Sequence, residues 1–595
     1  MSLSYSEGLK KLLDTLTPPQ REAAETGDGE LLIDAGAGSG KTRTMTARIG
    51  VLLASGAPPR SILAATFSKA AVADIETKLR EITRTDVRVC TLHAWAHRMI
   101  ARNGSVRVCD QSTSLRIITR AVAGSSVTAQ SVHKEISAAK NRGENPDNFT
   151  LMDSRLGREA IARIWRQYEA EKGQRLDFDD LLTKSLELLQ TDSSLLHWCH
   201  ETFRHLTVDE FQDTNPIQWR LIRSAYEGKV VSLERPCVSE SQGRSLAVVG
   251  DPDQAIYGFR GASANLILGF ASNYPNAKVI TLGENFRSQR LIVSAAAAVI
   301  ANNKHRTPKQ LLARQTLGVE VRIVEVSSRG AAAKAVSNIC RGLWKRTAGK
   351  AQIAGLFRHN AQLEEIRGSV DVPVRRTDGV FFEDLPEVRG VAALVNAARD
   401  PRNDYWLWES SRAVLPPDQR LSASLRRRQR ISNAALWDVL STSDEREAVI
   451  VRDAVLATVS AGQHGELRQV TEAARQTGWL ATLQAGATTE ARERLDEFSV
   501  RVLKSADPLK SLIAKSHGFL ELLTAHKSKG LEREYVILFA EGHPDPKGDP
   551  EEERRLFYVA LTRARRQVYI ILHPQSRSPF LQEIPEEMVA RTRIE

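Results

Sequence analysis

The sequence predicts an α/β protein organised around a phosphate-binding loop, and three features carry that prediction. The first is Ala35-Gly36-Ala37-Gly38-Ser39-Gly40-Lys41-Thr42, an A/G-x-x-x-x-G-K-[ST] pattern. It follows the apolar run Leu31-Leu32-Ile33-Asp34 and precedes a segment in which Met45, Ile49 and Leu52 share one helical face. Strand, glycine-rich turn and helix are the context this pattern requires. The second is a set of short apolar runs that end in polar residues: Ile62–Ser68, Cys90–Ala94 and Leu246–Gln254. Strands of a parallel sheet end this way where their carboxyl ends meet a ligand. The third is Asp209-Glu210 directly after the strand-like His205-Leu206-Thr207-Val208, a pair of carboxylates suited to a metal-assisted hydrolysis site.

Composition narrows the class of partner. The 595 residues carry a net charge of +11, are 42% hydrophobic and 26% charged, and have a pI near 9.4. No apolar run reaches the roughly 20 residues a bilayer span needs, and the first eleven residues lack a basic start followed by an apolar stretch. The five cysteines (Cys90, Cys109, Cys199, Cys237, Cys340) show no C-x-x-C spacing. That pattern argues against a zinc or iron–sulfur site and for a reducing, cytoplasmic setting. A basic chain with a nucleotide loop points to a polyanionic partner.

Each element then has a reason. Thr17, followed by Pro18 and Pro19, is a helix start, and the Gln20 amide has the donor and acceptor to read an adenine edge. The glycines of the loop let backbone N–H groups close on a triphosphate at a helix N-terminus. Lys41 would neutralise the β- and γ-phosphates, and the Thr42 hydroxyl would ligate Mg²⁺. Phe67, at the end of the second strand, presents a ring to stack on a base. Residues from about Ala96 to Gln190 are helical in pattern, broken at Gly104, Gly124 and Gly143–Pro146, and contain the acidic amphipathic stretch Leu176–Leu182. So long an interruption between strands predicts an inserted helical subdomain. Asp209 would hold Mg²⁺ through water and Glu210 would polarise the attacking water. Gln254 stands where a γ-phosphate sensor belongs. Tyr257, Phe259 and Arg260 follow at once and combine aromatic faces with a cation, the chemistry of a platform for single-stranded bases.

Taken together these motifs resemble a UvrD/Rep-type superfamily 1 DNA helicase. The likeness runs from Thr17 to about Arg565 and includes Gly36–Thr42, Val208–Asn215, Gly250–Ala262, Glu284–Ser288, Thr524–Glu532 and Glu553–Ala564. It implies two RecA-like α/β motor domains, each with a mainly helical inserted subdomain, and ATP with Mg²⁺ bound between them. The implied division is 1–95 and 191–280 for the first motor, 96–190 for its insertion, 281–373 and 515–595 for the second motor, and 374–514 for a second insertion. It also implies nucleotide contacts from Gln20, the loop Ala35–Thr42 with Arg43, Phe286, Arg287, Gly530, Glu532 and Arg563. Arg287 and Arg563 would reach the γ-phosphate, and Glu532 the ribose. Thr66, Phe67, His93, Tyr257, Phe259, Arg260, Arg358, Asn360 and His526 would line single-stranded DNA. Movement would be 3′ to 5′, on single strands and at junctions with duplex.

Several residues depart from the family pattern. Phe286 stands where Tyr is usual, Leu92 where Phe is usual, and Phe259 where Trp is frequent. Lys69-Ala70 replaces Asn-Lys, and Arg533 replaces an aromatic. The stretch from about Lys229 to Arg244 is an extra loop. The segment Val374–Leu520 is short and divergent: it begins with the familiar Phe381-Phe382-Glu383 and Pro386–Arg389 but has no Pro-x-Arg-Gly-Ile-Gly segment after Asp404. Its basic run Leu425–Arg430 would meet duplex DNA or a partner, or form a solvated helix face. This divergence motivates a second expectation, a nucleotide-gated DNA-binding subunit that works beside a nuclease, as in repair or antiviral defence, with little unwinding of its own.

Overall fold

Parallel strands whose side chains are apolar on both faces bury themselves between helices, and the runs picked out above do so. The computed structural model describes residues 5–375 except 103, 124–126, 154–155, 232–242 and 316–317, short pieces between 376 and 519, and 520–594 except 574–577. The chain divides into two units, Met1–Ser327 with Ser528–Glu595, and Ser328–Lys527.

In the first unit six strands form one sheet: β1 (Gly29–Ala35), β2 (Ile62–Thr66), β3 (Arg88–Thr91), β4 (His205–Val208), β5 (Ser245–Gly250) and β6 (Lys278–Leu282). Their order is β3-β2-β4-β5-β1-β6 and every pairing is parallel. All carboxyl ends therefore lie on one edge, and that edge carries the phosphate loop, Phe67, His93, Asp209-Glu210 and Asp251–Gln254. One face of the sheet is covered by an aromatic core that includes Trp95, Phe203, Phe211, Trp219, Phe270 and Tyr274. A smaller cluster with Met45, Ile49, Ile75 and Leu79 fills a second layer. Further along, β7 (Glu284–Gln289) pairs with β8 (Leu312–Gln315). The strands β9 (Val321–Val326), β13 (Arg533–Phe539), β14 (Ala564–Leu572) and β15 (Val589–Ile594) pair in parallel, in the order β13-β14-β9-β15.

The interruption after β3 is helical as expected, with helices Leu92–Ala101, Gln111–Ala121, Ala129–Arg142, Arg158–Lys172 and Phe178–Thr191. Ile117, Ile118, Val132, Ile136, Trp165 and Tyr168 give its middle a core of its own. The first and last of these helices instead contribute Trp95, Met99, Leu181, Leu182 and Leu186 to the sheet's aromatic core. A parallel bridge between Val108 and Leu176 ties the two ends of the insertion together. The apolar faces of the bounding helices are thus spent on the sheet's core.

In the second unit β10 (Ile353–Phe357), β11 (Val374–Arg375) and β12 (Leu520–Thr524) are parallel, with β12 between the other two. Helices Arg329–Arg346 and Asn360–Ser369 belong to this unit. Nearly all of 376–519, including Phe381–Glu383, Pro386–Arg389 and the basic run after Leu425, lies outside the described residues, as does most of the Lys229–Arg244 loop. Among the described residues no helix is long and apolar enough to cross a membrane.

Candidate functional site

The phosphate loop owes its shape to two glycines that only a residue without Cβ tolerates. Gly38 and Gly40 have φ of 67° and 81°. A Cβ on Gly38 would come within 2.8 Å of Arg287 Cβ, and one on Gly40 within 2.8 Å of Gln20 Nε2. Asn285 Nδ2 donates to Ala37 O at 2.6 Å and Phe286 N–H to Gly38 O at 3.0 Å, so β7 seals one wall of the loop. Gln20 seals another: its Nε2 donates to Ser39 O at 2.8 Å while its Oε1 accepts from Thr17 N–H at 3.0 Å. The Gln20 amide, expected to read adenine, is therefore engaged at both ends within the protein. Arg43 is exposed and donates to Thr15 Oγ1. Lys41 Nζ reaches Ala35 O at 3.3 Å, and the buried Ser39 hydroxyl has no hydrogen-bond partner.

At the end of β4, Asp209 N–H is held by Ala65 O at 2.8 Å. Glu210 sits in the left-handed region at φ 50°, unusual for a residue with a side chain. Its carboxylate accepts from Gln212 Nε2 at 2.5 Å, and Gln212 Oε1 accepts from Asp251 N–H at 2.9 Å. Burial and then the charge of Glu210 push the Asp209 carboxyl up. Burial alone would raise Glu210 as well, but Lys41 and Lys529 hold it below its ordinary value. Glu210 is the carboxylate that stays ionised beside the loop.

The remaining predicted phosphate residues converge here. Gln254 donates from Nε2 to Asp251 Oδ2 at 2.5 Å and accepts at Oε1 from Arg563 Nη2 at 3.2 Å. Arg563 is buried, also donating to Val559 O and Leu531 O, and burial with the neighbouring Arg287 pulls its guanidinium down to about 9. Arg287 Nε pairs with Glu532 Oε2 at 2.6 Å. Glu532, expected at a ribose, thus has its carboxylate on Arg287 and, at 3.4 Å, on Arg565. Phe286 is 41% exposed, leaving a ring face open. Gly530 takes φ 82°, the left-handed turn that swings Leu531 towards Arg563.

Sequence reasoning missed the residues that brace this set. The Lys309 side chain is buried and places Nζ 2.6 Å from both Asp34 and Asp251, while Arg306 forks onto Asp253 at 2.7 and 3.0 Å. Burial would lower the Lys309 pKa, but Asp251, Asp34 and Asp253 hold it above its ordinary value. Lys529 joins Asp213 at 2.7 Å and Gln254 O at 2.6 Å. Nothing local marks Lys309 as special; its partners are some 60 and 275 residues away.

The aromatic residues expected to form a base platform lie beside this cluster. Phe67 and Tyr257 stack with centroids 5.6 Å apart and planes at 9°, and Phe259 meets Tyr257 edge-on at 6.0 Å. The Arg260 guanidinium lies 5.1 Å from the Tyr257 ring and 5.5 Å from the Phe259 ring, and Lys134 Nζ lies over the Phe259 ring at 5.0 Å. Phe67, His93, Tyr257, Phe259 and Arg260 line a cavity of about 510 Å³ whose far wall comes from the helical insertion. Phe178, not foreseen, also lines it, 51% exposed and edge-on to His93 at 6.4 Å. Burial pushes the His93 pKa down, so the ring is neutral near pH 7. Thr66 is buried at the end of β2 and is not part of the cavity wall.

Arg358, Asn360 and His526 belong to the second unit. Arg358 follows β10, Asn360 opens the helix Asn360–Ser369, and His526 follows β12. Because Phe357 and Thr524 are in register, and Ala525 N–H donates to Phe357 O at 2.7 Å, these residues cluster at the carboxyl ends of adjacent strands.

An orphaned hydroxyl on Ser39, a lysine satisfied by one carbonyl, a glycine cradle and an ionised carboxylate beside a buried one form a donor set that fits a nucleoside triphosphate with a divalent cation.

Comparison with known proteins agrees. Residues 16–275 match the UvrD/REP helicase N-terminal domain, and residues 280–407 with 429–575 match the UvrD-like helicase C-terminal domain. The chain is 28% identical over 662 aligned residues to "ATP-dependent DNA helicase PcrA" of Bacillus subtilis (strain 168), covering 97% of this chain and 87% of that protein. The protein of the same name from Staphylococcus aureus (strain MRSA252) is 28% identical, with 98% and 88% covered. Its namesake from Leuconostoc citreum is 29% identical, with 94% and 82% covered. Both helicase domains are present, in order, over most of the chain: it belongs to the UvrD/REP helicase family and is a helicase enzyme.

Proposed function

We propose that the chain is an ATP-driven translocase that tracks single-stranded DNA 3′ to 5′ and opens duplex at a junction. The observation that carries this reading is the adjacency of two sites along Gln254–Arg260. Gln254 is hydrogen-bonded to Arg563 in the phosphate cluster, and three residues on Tyr257 stacks in the base cavity. In this reading Lys41 binds the β- and γ-phosphates, Glu210 orients and deprotonates water, and Arg287 and Arg563 neutralise charge that shifts in the transition state. Thr42 and Asp209 would hold Mg²⁺, which when bound polarises phosphate oxygens. Tyr257, Phe259, Phe67 and His93 grip bases, with stacking worth about 1–3 kcal/mol per base, strong enough to hold and weak enough to release. Arg358, Asn360 and His526 contribute a second stretch of DNA contacts, and the motor and insertion boundaries follow the family division.

The test is ATP hydrolysis with and without single-stranded DNA, run beside unwinding of duplexes carrying a 3′ or a 5′ tail. DNA-stimulated hydrolysis with opening of only the 3′-tailed duplex is expected. Opening of the 5′-tailed duplex alone reverses the polarity, and hydrolysis indifferent to DNA overturns the reading.

A further inference from the structure

We propose that Glu552 is a positioning residue that couples the base platform to the phosphate cluster, by holding the backbone of Gly258 from the helix that ends beside Arg563. This rests on the translocase reading above.

Glu552 lies in the first turn of the helix Pro550–Leu561. Its Oε1 accepts from Gly258 N–H at 3.0 Å, across 294 residues of sequence. The fit is tight: a Cβ on Gly258 would lie 2.5 Å from Glu552 Oε2, so the carboxylate fills the space a side chain would take. Burial pushes the Glu552 carboxyl up, partly offset by the Gly258 N–H. A carboxylate withdrawn from water onto one backbone N–H is a directional contact that is costly to leave unmade.

The same helix delivers Arg563 at its other end. Arg563 Nε donates back to Val559 O at 2.9 Å, and Nη2 to Gln254 Oε1 at 3.2 Å. Gln254 and Gly258 are four residues apart, and each is held by a residue at one end of a single helix. At 1.5 Å per residue, Glu552 and Leu561, the last residue of the helix, stand about 14 Å apart along the axis, and Arg563 follows just past the C-cap Thr562. The N-terminal part of the helix is tied down beside Glu552: Glu551 O accepts from Asn303 Nδ2 at 3.0 Å, and Arg554 pairs with Glu583 at 2.8 Å. A continuous helix of twelve residues carries a displacement of one end to the other. Displacement of Arg563 when a phosphate arrives or leaves is therefore delivered at Gly258, between the rings of Tyr257 and Phe259. Nucleotide state is read at one end of the helix and base grip is adjusted at the other.

The experiment uses the full chain as wild type, Glu552→Ala and Glu552→Gln. Affinity for oligo-dT is measured by anisotropy with and without a non-hydrolysable ATP analogue, and hydrolysis with and without oligo-dT. In Glu552→Ala the analogue-dependent change in DNA affinity should shrink about tenfold, the scale of one hydrogen bond to a charged group. The ratio of DNA-stimulated to unstimulated hydrolysis should fall with it, while nucleotide-free DNA affinity holds. Glu552→Gln keeps an acceptor and should restore both. Wild-type nucleotide dependence in Glu552→Ala overturns the proposal; so does a loss of nucleotide-free DNA affinity and thermal midpoint in the same proportion, which is the mark of a purely structural role. Gly258→Ala provides a second handle that leaves Glu552 in place but drives its carboxylate aside. It should reproduce the uncoupling, and normal coupling in it overturns the proposal. A wild-type chain without DNA-stimulated hydrolysis overturns the translocase reading together with this one, whereas a stimulated wild type with unchanged variants overturns this one alone.

Discussion

Two buried charge clusters in the first unit are built on opposite principles. In the helical insertion, Lys140 Nζ meets Asp177, Asp180 and Glu169 at 2.6 to 2.7 Å, and Lys172 bonds Glu169 and Asp180. Tyr168 OH closes the set onto Asp177 at 2.9 Å. The three carboxylates lie close enough to hold a cation, but two ammonium groups already fill that place. Around the phosphate loop the rear is paired through Lys309 with Asp34 Oδ1 and Asp251, although Asp34 Oδ2 has no partner, and the front is open: Ser39 Oγ is orphaned and Lys41 meets one carbonyl. Burying a charge is costly unless it is paired. A cluster satisfied on all sides holds helices together, while one satisfied only from behind presents its remaining valence to a ligand.

The comparison can be broken at either cluster. The largest effect belongs to the unsatisfied front. Lys41→Ala or Glu210→Gln should cut DNA-stimulated ATP hydrolysis by about 10³-fold or more with little change in folding, because each removes charge or a base needed in the transition state; full hydrolysis in either variant sinks the site. The satisfied cluster should behave in reverse. Lys140→Met removes one of the two ammonium groups that three carboxylates share and should cost about 3–5 kcal/mol of stability in urea unfolding, with hydrolysis per folded molecule retained. If hydrolysis falls before stability does, the two clusters are not separable.

A smaller effect is expected at the platform. Tyr257→Ala should weaken single-stranded DNA binding by about 1–3 kcal/mol while DNA-free hydrolysis survives, measured by anisotropy beside the ATPase assay. The smallest is a pH effect that sharpens the contrast within the insertion. Burial, then the charge of Asp177, push Asp179 up to about 6. A raised carboxyl binds its proton more tightly in the folded state, so Asp179 adds stability as pH falls through about 6. Burial alone would raise Asp177 too, but Lys140 and Lys172 hold it below its ordinary value. Its contribution is present at neutral pH and is lost as pH falls below about 4. Stability should therefore rise slightly and then fall on acidification; Asp209 is raised as well and shares in the rise, so Asp179→Asn should shrink it, and a variant that keeps the rise in full assigns it to the other raised carboxyls.

The sequence by itself determined the elements whose signals are local. The phosphate loop, the strands ending at Thr66, Thr91, Val208 and Gly250, and the helical interruption all follow from short-range periodicity and from glycines at turns that demand positive φ. Lys41, Asp209-Glu210, Gln254 and Tyr257–Arg260 were legible for the same reason: each motif is a few contiguous residues at a strand end. What only the tertiary structure decided is which groups each motif faces. Gln20 turns its amide to Ser39 and Thr17, Arg43 turns to Thr15, and Glu532 takes Arg287, because donors and acceptors that packing brings within reach must be satisfied where they stand. Lys309 and Glu552 had no sequence signature of their own, and Phe178 stood unmarked within the acidic stretch Leu176–Leu182. Their meaning lies in Asp34 and Asp251, in His93, and in Gly258, partners set beside them only once parallel strands aligned their carboxyl ends on one edge and helices closed over it.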